Sequence, residues 1–128
     1  MSDCFDARKD VPAIRRANAA FIASLMAELL DPMRLAARGA GYALTVHGTQ
    51  ARDIDLVAIP WTLGAASADH LVDRLCGVIA GVTGRALRSG QWTDKPHGRL
   101  AITIIHGGHD AEIDLSVMPR APGDGDDD

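Results

Sequence analysis

From about residue 12 the chain alternates between stretches with helical and stretches with extended spacing of apolar residues. Ile14, Phe21, Ile22, Leu25, Met26 and Leu29 form a broad apolar stripe in an alanine-rich background, which predicts a helix over residues 12–30. Asp31-Pro32 predicts a stop and a new start, because Asp is a good N-cap and Pro suits the first helical position; a second, short helix should then end at Gly39 or Gly41. Tyr42, Leu44 and Val46 alternate with Ala43, Thr45 and His47, the period of a strand. Residues 54–59 are apolar on both faces, which predicts a central strand covered on both sides and ended by Pro60. Only residues 48–53 separate these two strands, too few for a crossover helix, so an antiparallel hairpin is expected.

Ser67 can cap a helix running to about residue 80, with Leu71, Leu75, Val78, Ile79 and Val82 on its apolar face and Asp69, Asp73 and Arg74 outside. Gly81, Gly84, Gly90, Pro96 and Gly98 punctuate the next stretch of chain, where residues 86–91 predict a short edge strand and residues 93–99 a loop. Residues 100–105 and 111–117 predict a hairpin joined by His106-Gly107-Gly108-His109-Asp110. In its second strand Ile113, Leu115 and Val117 share the core face, leaving Glu112, Asp114 and Ser116 opposite.

These elements predict an α/β (α+β) domain over residues 12–119, a mixed sheet of four or five strands with two main helices packed on it. Residues 1–11 are expected to be a flexible N-terminus and residues 120–128 a disordered acidic tail. A chain of 128 residues with 47% hydrophobic content can build one core without disulfides or metal staples. Cys4 and Cys76 are too isolated for a zinc pair and fit a reducing cytoplasm. No apolar run reaches the ~20 residues of a spanning helix, so a membrane location is not expected. The net charge of -4 belongs to the tail: without Asp124, Asp126, Asp127 and Asp128, 13 acidic residues face 13 basic ones. A neutral body without a basic face argues against duplex nucleic acid as a partner and leaves room for a small anionic ligand.

The candidate chemistry lies at the start of the second strand. Asp53 and Asp55 flank Ile54, so in an extended chain both carboxylates point one way, and two like charges on one side need a cation. Asp53-Ile54-Asp55-Leu56 has a counterpart in Glu112-Ile113-Asp114-Leu115; strands placed side by side would gather the carboxylates on one patch. Such a patch, completed by water and phosphate oxygens, suits Mg²⁺ held with a nucleotide, and phosphoryl or nucleotidyl transfer follows as the chemistry. The bland alternative makes Asp53 a turn residue and Asp55 an ion-pair partner of Arg52 or Arg99. Lys95, His97 and Arg99 form a compact basic group able to hold a phosphate or simply to be solvated, and Arg34 and Arg38 are expected in solvent. His106 and His109 read as polar loop residues, His47 as a structural histidine, and Trp61 and Trp92 as seals of core edges.

Gly48-Thr49 after a strand, Asp53-x-Asp55 opening the next, and an apolar-flanked Asp114 in a later one resemble the signature of the nucleotidyltransferase superfamily, which includes the polymerase-beta-like and minimal nucleotidyltransferases. The resemblance implies that fold, Gly48 and Thr49 lining a nucleoside triphosphate with Arg52, Lys95 and Arg99 nearby, and Asp53 and Asp55 binding Mg²⁺, in a one- or two-metal site. Asp114 would complete the metal site or act as general base. A nucleoside monophosphate would pass to an unknown acceptor, with a partner chain or homodimer completing the cleft. Residues 46–61, 95–99 and 113–119 also resemble small phage and prophage proteins, which implies the other reading: an inactive accessory protein of a bacterial host's cytoplasm that binds a protein or ligand.

Overall fold

The computed structural model describes residues 11–48, 53–107 and 112–120. Helix α1 (Pro12–Gly39) is followed by β1 (Tyr42–His47), β2 (Ile54–Pro60), α2 (Ala68–Thr83), β3 (Ala86–Asp94), a single 3-10 turn (Pro96–Gly98), β4 (Leu100–His106) and β5 (Ile113–Val117). The sheet is mixed and five-stranded, in the order β1-β2-β5-β4-β3. Among the described strands only the β2–β5 pair is parallel.

Pro32 lies inside α1 instead of between two helices. An interior proline removes a backbone donor and costs about 3 kcal/mol. The apolar stripe outweighs that cost, because Ile22, Leu29, Met33 and Ala37 are all fully buried and continue one face straight through the proline. Helix α2 starts as expected, with the Ser67 hydroxyl accepting the His70 N–H at 3.1 Å, but it runs on to Thr83, where Gly84 ends it. Val82 nevertheless lies outside the core.

Both helices pack on one face of the sheet, against Tyr42, Leu44, Ile54, Leu56, Ala58, Ile102, Ile104, Ile113, Leu115 and Val117. The alternate residues form a second face that, among the described residues, no helix covers. Strand β2 is therefore paired on both edges yet buried on one side only: Asp55 and Val57 are half-buried and Ile59 is exposed, contrary to the expectation of two covered faces. Continuous apolar character could not distinguish the two cases, since Val57 and Ile59 belong to the open face.

Three further local expectations change. Strand β3 extends to Asp94, replacing the start of the predicted loop. His106 is the last residue of β4 and is buried, because its parity places it on the helix-covered face. Arg34 is exposed, as expected, and also donates from Nε to the Leu44 carbonyl at 3.2 Å on the outer edge of β1. Trp61 is exposed, whereas Trp92 packs against the core. Among the described residues no helix is long and apolar enough to cross a membrane.

Candidate active site on the open sheet face

The two similar tetrapeptides lie side by side. In the parallel β2–β5 pair Ile54 is opposite Ile113, Asp55 opposite Asp114 and Leu56 opposite Leu115. The isoleucines and leucines enter the core, so the two aspartates must stand next to each other on the open face, on strands ~4.8 Å apart. The register is fastened at both ends. The Ile54 N–H donates to the Glu112 carbonyl (3.0 Å) while Asp53 Oδ1 accepts the Glu112 N–H (3.3 Å), and the Met118 N–H donates to the Ala58 carbonyl (2.9 Å).

The row continues across the whole sheet. His47 is opposite Asp55, Thr103 opposite Asp114, and Ser89 opposite Thr103. A transverse line His47, Asp55, Asp114, Thr103, Ser89 thus crosses five strands. The Thr103 hydroxyl donates to Asp114 Oδ1 at 3.0 Å and fixes one oxygen of that carboxylate.

The Asp55 carboxyl is held above the usual carboxylate range, first by partial burial, then by the negative charges of Asp114 and Asp53, with the charge of His47 opposing and a carboxyl hydrogen bond to Asp114 adding to the rise. Gly48, at the end of β1, makes room for this carboxylate. Its φ is +78°, and a Cβ there would lie 3.1 Å from Asp55 Oδ2. Thr49 and Arg52 lie outside the described residues.

Among the described residues no group of three or more His, Cys, Asp or Glu side chains is arranged to hold a metal ion. Asp53 is near enough to raise the Asp55 pKa, but one of its oxygens is engaged by the Glu112 amide. The donor set still suits Mg²⁺, which commonly takes only one or two carboxylates and fills its octahedron with water and substrate phosphate. The raised Asp55 pKa reflects its neighbours' negative charge, which a hard divalent cation would relieve.

Beside Asp114 the open face forms a groove of about 380 Å³, reaching to Lys95 and lined also by Ser89, Gln91, Thr93, Thr103 and Ser116. Lys95 therefore shares a groove with Asp114. Arg99 does not line the groove; its carbonyl accepts the Lys95 N–H (2.8 Å), closing the loop around the 3-10 turn. The hydroxyl and amide lining was not among the expected site residues, although the alternation Ala101, Thr103, Ile105 against Ile102, Ile104 in β4 already placed Thr103 on the face opposite the core. A larger groove of about 460 Å³, bounded by Arg34, Arg38, Tyr42, Leu44 and Trp61, opens at the other end of β1, away from the aspartates.

No protein-family model matches the chain, and no curated protein matches it. Among solved structures the chain is similar to the Cid1 poly(U) polymerase in its MgGTP-bound crystal structure, with a TM-score of 0.41 and 11% sequence identity. The match covers 89% of this chain and 36% of the polymerase chain.

Proposed function

We propose that the chain is a Mg²⁺-dependent nucleotidyltransferase that moves a nucleoside monophosphate from a nucleoside triphosphate to a hydroxyl of an acceptor. The observation that carries the reading is the in-register pairing of Asp55 with Asp114, with Asp53 at the strand entry, on a face that no helix covers among the described residues.

In this reading Asp53 and Asp55 hold Mg²⁺, which when bound neutralises charge on the triphosphate. Asp114, oriented by the Thr103 hydroxyl, accepts the proton of the acceptor hydroxyl as that oxygen bonds to the α-phosphorus. The bond from the α-phosphorus to the bridging oxygen of the β-phosphate breaks, and pyrophosphate leaves. Gly48 keeps side-chain bulk away from Asp55, and the open face leaves space for the triphosphate.

Thermal-shift measurement with each nucleoside triphosphate, with and without Mg²⁺, tests the reading. Stabilisation of the wild type that requires both components and is lost in Asp53→Ala and Asp55→Ala is expected. No nucleotide effect at millimolar concentration would refute it.

A further inference from the structure

The groove between Asp114 and Lys95 differs in chemistry from the carboxylate row that it adjoins. Among the described residues Asp114 is its only acidic lining residue and stands at one end; Lys95 is its only cation. Between them lie four hydroxyls, of Ser89, Thr93, Thr103 and Ser116, and the Gln91 amide. Such a lining offers donors and acceptors to a ligand rich in hydroxyls, and one positive charge to a ligand with one anionic group. Among the described lining residues a polycationic ligand would find no carboxylate besides Asp114, and an apolar one would leave these polar groups unpaired.

The backbone of β3 is built to supply this lining. Ser89 pairs with Thr103 and Thr93 with Ala101, so Gly90, Gln91 and Trp92 together face the single residue Ile102. This bulge turns on Gly90, whose φ is +78°. It lets Gln91 line the groove while Trp92 packs on the helix side and donates from Nε1 to Asp69 Oδ1 at 2.8 Å. Arg88, just before the bulge, is clamped on the same side by Asp69 and Asp73, each at 2.7 Å. The irregularity is thus fastened to α2 on both flanks, which presents Gln91 from a rigid support. Bulges commonly re-aim a side chain beside an active site.

We propose that this groove is the acceptor subsite and that the acceptor is a small polyhydroxylated compound carrying a phosphate, of the sugar-phosphate class. The proposal rests on the nucleotidyl-transfer reading for its reaction but not for its binding chemistry. The phosphate is held by Lys95, Gln91 and the hydroxyls hold the polyol, and the hydroxyl nearest Asp114 is the one that reacts. A volume of about 380 Å³ suits a single sugar unit, at the small end of the ~300–1,000 Å³ of small-molecule pockets.

Titration of ¹⁵N-labelled protein with ribose 5-phosphate, and separately with neutral ribose, tests the assignment. Saturable shifts of the amides of Ser89, Gln91, Thr93, Lys95, Thr103 and Ser116 are expected, with ribose binding more weakly. Lys95→Ala should weaken ribose 5-phosphate about tenfold and leave ribose unchanged, while Arg38→Ala, in the other groove, should change neither. Dispersed spectra of the variants establish that they fold. Absence of shifts in this set, shifts confined to the groove at Arg34, Arg38 and Trp61, or equal binding of the two probes would overturn the proposal. Stabilisation by magnesium nucleotide, measured on the same samples, separates the two readings. Nucleotide binding without sugar-phosphate binding refutes only the acceptor subsite; sugar-phosphate binding without nucleotide binding refutes the transfer reaction and upholds the groove as a sugar-phosphate site.

Discussion

Thr103 and Asp114 face each other across the β4–β5 pair, and the threonine hydroxyl donates to Asp114 Oδ1 at 3.0 Å. An aspartate at the centre of the carboxylate row thereby has one oxygen fixed in place. In the proposed reaction Thr103 is a positioning residue. Thr103→Val keeps the shape and removes the donor, so turnover should fall about 10–100-fold, the usual cost of losing such a support, while nucleotide-induced stabilisation persists. Thr103→Ser restores the hydroxyl and should restore turnover. Equal losses in the Val and Ser variants would show that packing, not the hydrogen bond, is what matters.

Asp55→Asn should stabilise the protein in EDTA at neutral pH. Burial and two neighbouring carboxylates raise the folded-state pKa of Asp55, so its ionised form favours the unfolded chain. The penalty is fully present above the folded pKa and disappears below the unfolded value of ~3.9. Relief of it should raise stability by about 0.5–2 kcal/mol at neutral pH, and the two proteins should converge in acid. Thermal melts from neutral pH down to below the unfolded value of ~3.9 provide the comparison; an unchanged melting temperature at neutral pH would mean the carboxylates do not strain one another.

Gly48→Ala combines two penalties. The left-handed φ of +78° costs a residue with a Cβ roughly 1–2 kcal/mol, and that Cβ would stand 3.1 Å from Asp55 Oδ2. Both reduced stability and reduced magnesium-nucleotide binding are expected. Gly48→Asn, better tolerated in the left-handed region, should recover part of the stability without recovering the binding. Full binding by both variants would remove Gly48 from the site.

The placement of Asp55 beside Asp114 is legible in the sequence because its signal is duplicated. Asp53-Ile-Asp55-Leu and Glu112-Ile-Asp114-Leu each alternate core and open face, and burying both apolar pairs in adjacent parallel strands forces Asp55 beside Asp114. The β1–β2 and β4–β5 hairpins are equally visible, through short connections that exclude a crossover. Pro32 misleads because its local backbone cost is opposed by the stripe of Ile22, Leu29, Met33 and Ala37, whose burial only the tertiary packing reveals. The extent of β3 is hidden by Gly90, which reads as a break when isolated but forms a bulge once Arg88 and Trp92 are tied to α2. Lys95 and Arg99 look equivalent in sequence; only the turn at Pro96–Gly98 separates the lysine, which lines the groove, from the arginine, which does not.

Pro32→Ala should reveal how strongly tertiary packing overrides helix propensity in α1. Alanine restores the missing N–H and removes the ring from the path of the preceding turn, and the difference in helix interiors is about 3 kcal/mol. Part of that gain is offset because alanine frees the unfolded chain that proline restricts. A net rise in stability of about 1–2 kcal/mol is expected from denaturant melts, with no change in the open-face site, because the buried α1 residues pack on the opposite side of the sheet. A fall in stability would show instead that α1 gains from proline at this position, and that the stripe carries no cost to overcome.

The Arg88, Asp69 and Trp92 connections predict how the bulge responds to acid. The Asp69 carboxyl is held below its usual pKa, first by the Trp92 indole N–H and then by Arg88. A depressed folded-state pKa means that the stabilisation is full above the unfolded value of ~3.9 and is lost as the pH falls through the folded one. Wild type should therefore be more stable than Asp69→Asn at neutral pH, and the difference should shrink below ~pH 4. Because the carboxylate is largely exposed, salt should also reduce the difference. Trp92 fluorescence follows the same link locally: its acid transition should precede global unfolding in wild type and be absent in Asp69→Asn. An acid transition of Trp92 that is identical in the two proteins would mean that Asp69 does not hold the flank of the bulge.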